Sequence, residues 1–129
     1  MVLRPGTRIR LSYQGEGWFA DVADRELAAI VRARIGGSAG DNPSYAVQFD
    51  KPIETQESGA STPSGLHLVR YTHAVVGSRW AGVEIAAEPR VSCFVRLVRE
   101  GESIPAGQNE VNSLPIRLWA ECSVVEGAA

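Results

Sequence analysis

Ala29-Ile30-Val31-Arg32-Ala33-Arg34-Ile35 and Tyr45-Ala46-Val47-Gln48-Phe49-Asp50 are two runs of alternating residues joined by a loop rich in Gly, Ser, Asp, Asn and Pro. Alternation puts Val31, Ala33 and Ile35 on one side of an extended chain, with Ile30, Arg32 and Arg34 opposite. Tyr45, Val47 and Phe49 do the same in the second run. Gly36-Gly37 ends the first run and Pro52 stops the second, because proline cannot donate to a strand ladder. The pair predicts a β-hairpin over residues 29–50 and a mainly β protein.

Upstream, Thr7 to Tyr13 (TRIRLSY) sets Ile9, Leu11 and Tyr13 against Arg8, Arg10 and Ser12, a half-buried strand. Gln14-Gly15-Glu16-Gly17 is a turn signal, followed by the bulky pair Trp18-Phe19. Residues 21–30 read two ways. Asp24 could cap a helix carrying Leu27, Ile30 and Val31 at helical spacing, or the strand could already have begun. We expect at most one short helix near residues 22–28, with the strand from about Ala29.

Downstream, residues 54–65 (ETQESGASTPSG) are almost devoid of apolar side chains and predict a mobile surface loop. Leu66 to His73 returns to strand character, with Val69, Tyr71 and His73 on one face. Ser78-Arg79-Trp80 lies between Gly77 and Gly82 as a turn that presents or buries a tryptophan. Val83-Glu84-Ile85 begins a short strand that Pro89 ends. Val91 to Val98 alternates Val91, Cys93, Val95 and Leu97 with Ser92, Phe94 and Arg96. A second polar loop at 100–113 precedes a last strand, Leu114 to Val124, with Leu118, Ala120 and Cys122 in register opposite Trp119, Glu121 and Ser123. Six or so short strands separated by turns predict a single small barrel over residues 1–129.

The hairpin, with Pro5-Gly6-Thr7-Arg8-Ile9 before it, resembles SH3-like barrels of the Tudor and KOW kind over residues 5–72. In those domains the second strand of the pair often reads Tyr-x-Val-x-Phe-Asp. The resemblance implies a small SH3-like barrel. For a Tudor domain it further implies a methylated Lys or Arg held by cation–π attraction, with Trp18, Tyr45 and Phe49 as the cage and Asp50 as its carboxylate. Aromatic residues at strand spacing are also what a core requires. A second resemblance is narrower. Arg4-x-x-x-Arg8 is similar to the arginine motif of PilZ domains, which bind cyclic di-GMP. Those domains carry a later Asn/Asp-x-Ser-x-x-Gly, and here Asn42-Pro43-Ser44-Tyr45-Ala46-Val47 puts Val47 in the place of the glycine.

The chain has 129 residues and a net charge of −2, which gives no global attraction to phosphate. The charge is unevenly spread: residues 66–99 hold five arginines against two acids, whereas the chain from residue 100 holds one against five. Twelve of the thirteen basic residues are arginine, which suits bidentate contacts and is equally the codon preference of a GC-rich genome. If the strands at 7–13 and 29–35 are neighbours, Arg8, Arg10, Arg32 and Arg34 offer a face to a phosphate backbone. The same face could be solvated and balanced by Asp21, Asp24 and Glu26.

No catalytic set emerges. His67 and His73 stand about 20 Å apart at ordinary strand rise, too far to share a metal, and Gly-x-Ser-x-Gly is absent. Cys93 and Cys122 point to the core side of candidate neighbouring strands, as reduced thiols or, if adjacent, a redox pair. No cofactor or metal is expected. The N-terminus carries no apolar run of signal-peptide length and no segment is long enough to span a membrane, so a cytoplasmic protein without membrane contact is expected. The sequence thus predicts a non-catalytic binding module for a protein or nucleic-acid partner. The alternative is a small enzyme or small-molecule-binding protein whose pocket forms between subunits of a homo-oligomer.

Overall fold

The computed structural model describes residues 3–13, 26–36, 43–58, 66–80, 85, 90–114 and 118–125. Six antiparallel strands follow one another around a closed barrel: β1 (Arg8–Tyr13), β2 (Glu26–Ile35), β3 (Ser44–Ser58), β4 (Leu66–Ser78), β5 (Val91–Arg99) and β6 (Leu118–Val124). Each strand pairs with the next, and β6 returns to β1 with Leu11 opposite Cys122, so closure removes the sheet edges along the barrel wall. Among the described residues no helix is long and apolar enough to cross a membrane.

The expected mainly β barrel of about six strands is therefore present, and the hairpin at its centre is β2–β3, with Val31 opposite Val47. Alternation fills the interior: Ile9, Leu11, Val31, Tyr45, Val47, Tyr71, Val76, Val91 and Val95 all have under 2% of their surface exposed. These side chains, with Ala120 and Cys122 of β6, meet in one cluster, which makes the barrel a packed core rather than a container. Gly6, at φ 92°, occupies the left-handed region and closes a turn in which the Thr7 amide donates to the Arg4 carbonyl. The amides of Gly6 and Val31 exchange hydrogen bonds across to Val31 and Thr7, fastening this turn to β2.

Four expectations are corrected. Glu26 to Ala28 belong to β2, paired with Ser12 to Arg10, rather than to a helix near 22–28; Asp21 to Arg25 lie outside the described residues. The short helix is instead α1, Gln108–Ser113, inside the stretch expected as a loop. Residues 54–58, also expected in a loop, are the second half of β3, because Ile53 to Ser58 pair with Tyr71 to Leu66 in a two-stranded ribbon. Ile85, expected in a strand, is buried in a turn.

The ribbon's Ile53, Thr55 and Val69 are buried, and Ile53 and Val69 join the core cluster. Its outer side carries Arg70 between Glu54 at 2.9 Å and Glu100 at 3.5 Å. α1 covers the outside of the wall instead. Its Val111 completes a small second cluster with Ile35, Ala46 and Val75, and the Arg96 guanidinium donates to the Leu114 carbonyl at the end of the helix.

Candidate functional site

The residues singled out in the sequence fall into two groups. Arg8 and Arg10 lie on the outer side of β1, and each has an acid of its own: Arg8 reaches Asp50 at 3.3 Å and Arg10 reaches Glu26 at 3.7 Å. These ion pairs are exposed, and they cancel much of the positive field that a phosphate backbone would feel. A β-bulge between Val31 and Ala33 then breaks the expected alignment of Arg32 with Arg34. Arg32 donates from Nε to the Gln48 Oε1 at 2.9 Å, on the outside of the wall. Arg34 stands opposite Tyr45, in the register of the inner side chains, and emerges exposed. Four aligned arginines do not form.

Tyr45 and Phe49 are core residues, 1% and 4% exposed, and the Tyr45 hydroxyl accepts a hydrogen bond from the Leu3 amide at 3.2 Å. They therefore fill the barrel, while Asp50 lies outside it. Trp18 is outside the described residues. Of the PilZ-like positions, Val47 is wholly buried and Arg8 is committed to Asp50.

The chemistry-rich surface lies on the outer face of β4, β5 and β6. Antiparallel register sets Gly77, Phe94 and Trp119 in one row across the three strands. The chain leaving β4 makes the next row, because the Arg79 amide donates to the Ser92 carbonyl at 2.9 Å and Ser92 stands opposite Glu121. Arg79 and Trp119 are thereby one row apart on the outer face with β5 between them, and their long side chains reach across it. Its guanidinium carbon lies 4.8 Å from the centroid of the Trp119 ring and 5.1 Å from that of Trp80, both within cation–π range. The Ser78 hydroxyl fixes Trp80: it accepts from the Trp80 amide at 3.1 Å and is 3.0 Å from the Trp80 carbonyl, to which it donates.

Both indoles remain open to solvent, Trp80 at 55% and Trp119 at 40% exposure. Phe94 supplies a third ring, half-buried, with the Arg96 guanidinium 5.2 Å from its centroid. Burial lowers the Arg96 pKa from its ordinary value, which fits a side chain used to tie Phe94 and α1 together rather than to meet solvent. Arg90, at the start of β5, extends the positive charge and lies 3.8 Å from Glu121.

The sequence placed Trp80 in a turn that either presents or buries it and Trp119 opposite the core residues of the last strand, yet did not join them. The signal was there in outline, since Trp119 shares the parity of Glu121 and Ser123 and Trp80 follows an arginine. What joins them is the β5–β6 register, a pairing of separate segments that no local pattern contains. No family model matches the chain, nor does any curated protein or solved structure.

Proposed function

We propose that this protein is a non-catalytic binding module that recognises its partner on the outer face of β4–β6, through Trp80, Arg79 and Trp119. The observation that carries this reading is the Arg79 guanidinium lying within 5.1 Å of the ring centroids of two exposed indoles, one in the bend after β4 and one on β6. Exposed tryptophans beside arginine are the side chains most often responsible for binding energy at recognition surfaces. The barrel interior is occupied by its own side chains, so the outer surface is where a partner can be met. A methyl-lysine or methyl-arginine cage of the Tudor kind would need Tyr45 and Phe49 at the surface; both are buried, and the proposal does not use them.

The test is a thermal-shift screen of nucleotides, oligonucleotides, short peptides and metabolites on the wild type and on Trp80→Ala and Trp119→Ala. A ligand that stabilises the wild type should lose roughly 5-fold or more in affinity with either variant, as expected of a residue that carries binding energy. Ligands that bind both variants as well as the wild type would refute this surface. Light scattering on the same samples reads the competing idea, a pocket between subunits: an oligomer that buries Trp80 and Trp119 would replace the proposal.

A further inference from the structure

Building on that surface, we infer that its ligand is a single-stranded polynucleotide, with bases stacking on Trp80 and Trp119 and phosphates meeting Arg79 and Arg90. The inference depends on the β4–β6 face being the binding surface, and it adds the chemical class of what binds there.

The face alternates flat rings with cations. Trp80 is 55% and Trp119 40% exposed, and the Arg79 guanidinium sits beside both. Arg90, with a side chain 78% exposed, lies at the same end of the strands, where Ser92 and Glu121 face each other. A polynucleotide offers the complementary alternation, a π-face on every base and a negative charge on every linkage. Stacking needs no particular base, because each has a ring, so the surface fits single strands without demanding a sequence.

A protein partner fits these features less well. Protein interfaces centre on a patch enriched in aromatic residues and arginine and depleted in Glu, Asp and Lys, ringed by polar residues. Here Arg79 and its two indoles would suit such a centre, but their neighbours across the strands are Ser92 and the acid Glu121 rather than aliphatic side chains. Covering Arg79 with an uncharged surface would desolvate a cation without replacing its counter-charge, whereas a phosphate supplies one. A duplex is also disfavoured, since its bases are already stacked on each other and cannot reach the indoles.

The local charge permits this in a chain of net charge −2. Among the described residues, Arg79 and Arg90 stand on the face with Glu121, which lies 3.8 Å from Arg90 and offsets part of its charge, as Asp50 and Glu26 do for Arg8 and Arg10. Binding should therefore be local, of modest affinity, and sensitive to salt. Two phosphates neutralised on a single strand predict a drop of roughly 7-fold between about 50 and 200 mM salt.

Fluorescence anisotropy of labelled oligo-dT and oligo-rU of about 12 nucleotides tests the inference, with a duplex of the same length and heparin as competitors. Either oligonucleotide should bind, quench tryptophan emission and lose roughly 5-fold or more in affinity with Trp80→Ala or Trp119→Ala. Trp119→Phe, which keeps a ring, should lose less, and Arg79→Gln should reduce the salt dependence. Arg34→Gln, on β2 and away from this face, should change neither. Absence of binding at about 100 μM strand, the weak end of non-specific affinities, would overturn the inference. So would preference for the duplex, or competition by heparin, which has charge but no bases, as effective as that by unlabelled oligo-dT.

The two readings fail differently. If oligonucleotides do not bind while another ligand binds in a manner lost in Trp80→Ala, the polynucleotide is wrong and the surface stands. If an oligonucleotide binds undiminished by both tryptophan variants, the surface itself is wrong.

Discussion

Phe94 lies across Gly77, its cross-strand partner, so closely that a Cβ on Gly77 would stand 2.5 Å from the Phe94 Cζ and 2.7 Å from its Cε2. Glycine in a strand usually costs stability, since it packs nothing and loses backbone freedom. Here the missing side chain is what lets the ring lie flat between β4 and the Arg96 guanidinium. Gly77→Ala should therefore destabilise the barrel by about 1–2 kcal/mol, the ordinary cost of overpacking, instead of gaining strand propensity. In a Phe94→Ala background the same change should be neutral or stabilising, because the clash has gone. Urea unfolding of the four members of the cycle checks this, and additive effects would mean that the ring is not what excludes a side chain.

Tyr45 carries a different kind of contact. Its ring is inside the barrel and its hydroxyl accepts from the amide of Leu3, itself only 5% exposed. Tyr45→Phe keeps the packing and removes the acceptor, leaving a buried amide without that partner. Such a change costs about 1–3 kcal/mol. Hydrogen exchange at Leu3 should accelerate well before the rest of the core responds. Uniform acceleration across all strands would show that the hydroxyl supports the whole barrel and not the N-terminal segment alone.

Much of the barrel was legible in alternation, and particular residues show where that signal stops. Ile9, Leu11, Val47, Val91, Cys93 and Val95 all face inward as their parity predicts. Parity fails at bulges. The irregularity between Tyr71 and His73 moves Ala74 and Val76 to the inner side and takes His73 out of line with Val69 and Tyr71. The bulge after Val31 separates Arg32 from Arg34 in the same way, which is why the expected arginine face is not assembled. Residues 54–58 read as loop because they are polar, and they form strand because β4 offers a partner. Helix α1 has a single buried apolar residue, Val111, whose burial depends on Ile35, Ala46 and Val75 from three strands. No local pattern contains that information. The Trp80–Arg79–Trp119 arrangement is hidden for the same reason: it spans two segments some forty positions apart that meet only when β6 docks on β5.

Cys93 and Cys122 stand diagonally on β5 and β6, since Cys93 faces Ala120 and Val91 faces Cys122. Both are wholly buried free thiols. The hydrogen bond to the Cys122 thiol, then burial, push the Cys93 thiol far above its ordinary value. A thiol that stays protonated and covered is a poor nucleophile. Neither cysteine should react with iodoacetamide at pH 8 in the folded protein, and both should react in denaturant. Rapid labelling of Cys93 in the native state would mean that the β5–β6 seam opens without global unfolding.

His73 makes stability depend on pH, with a sign that can be worked out. Its ring is half-buried between Gln48 on β3 and Val98 on β5, with the Thr72 hydroxyl 2.8 Å from Nδ1. Desolvation, then the nearby Arg32 guanidinium, lower its pKa from the ordinary 6.5. In the unfolded chain the ring takes up a proton near 6.5, whereas the folded ring resists until a lower pH. The unfolded state thus binds more protons in the interval between the two values. This contribution to stability is whole above about 6.5 and is lost as the pH falls through 6.5 toward the folded value. His73→Gln removes the titration, so the variant should lose less stability than the wild type between about pH 7.5 and 5.5. Arg32→Gln should act in the same direction more weakly, since desolvation remains. Urea midpoints across that range measure both, and NMR titration of the His73 ring assigns the effect. Parallel curves for wild type and His73→Gln would mean that other groups carry all of the acid sensitivity.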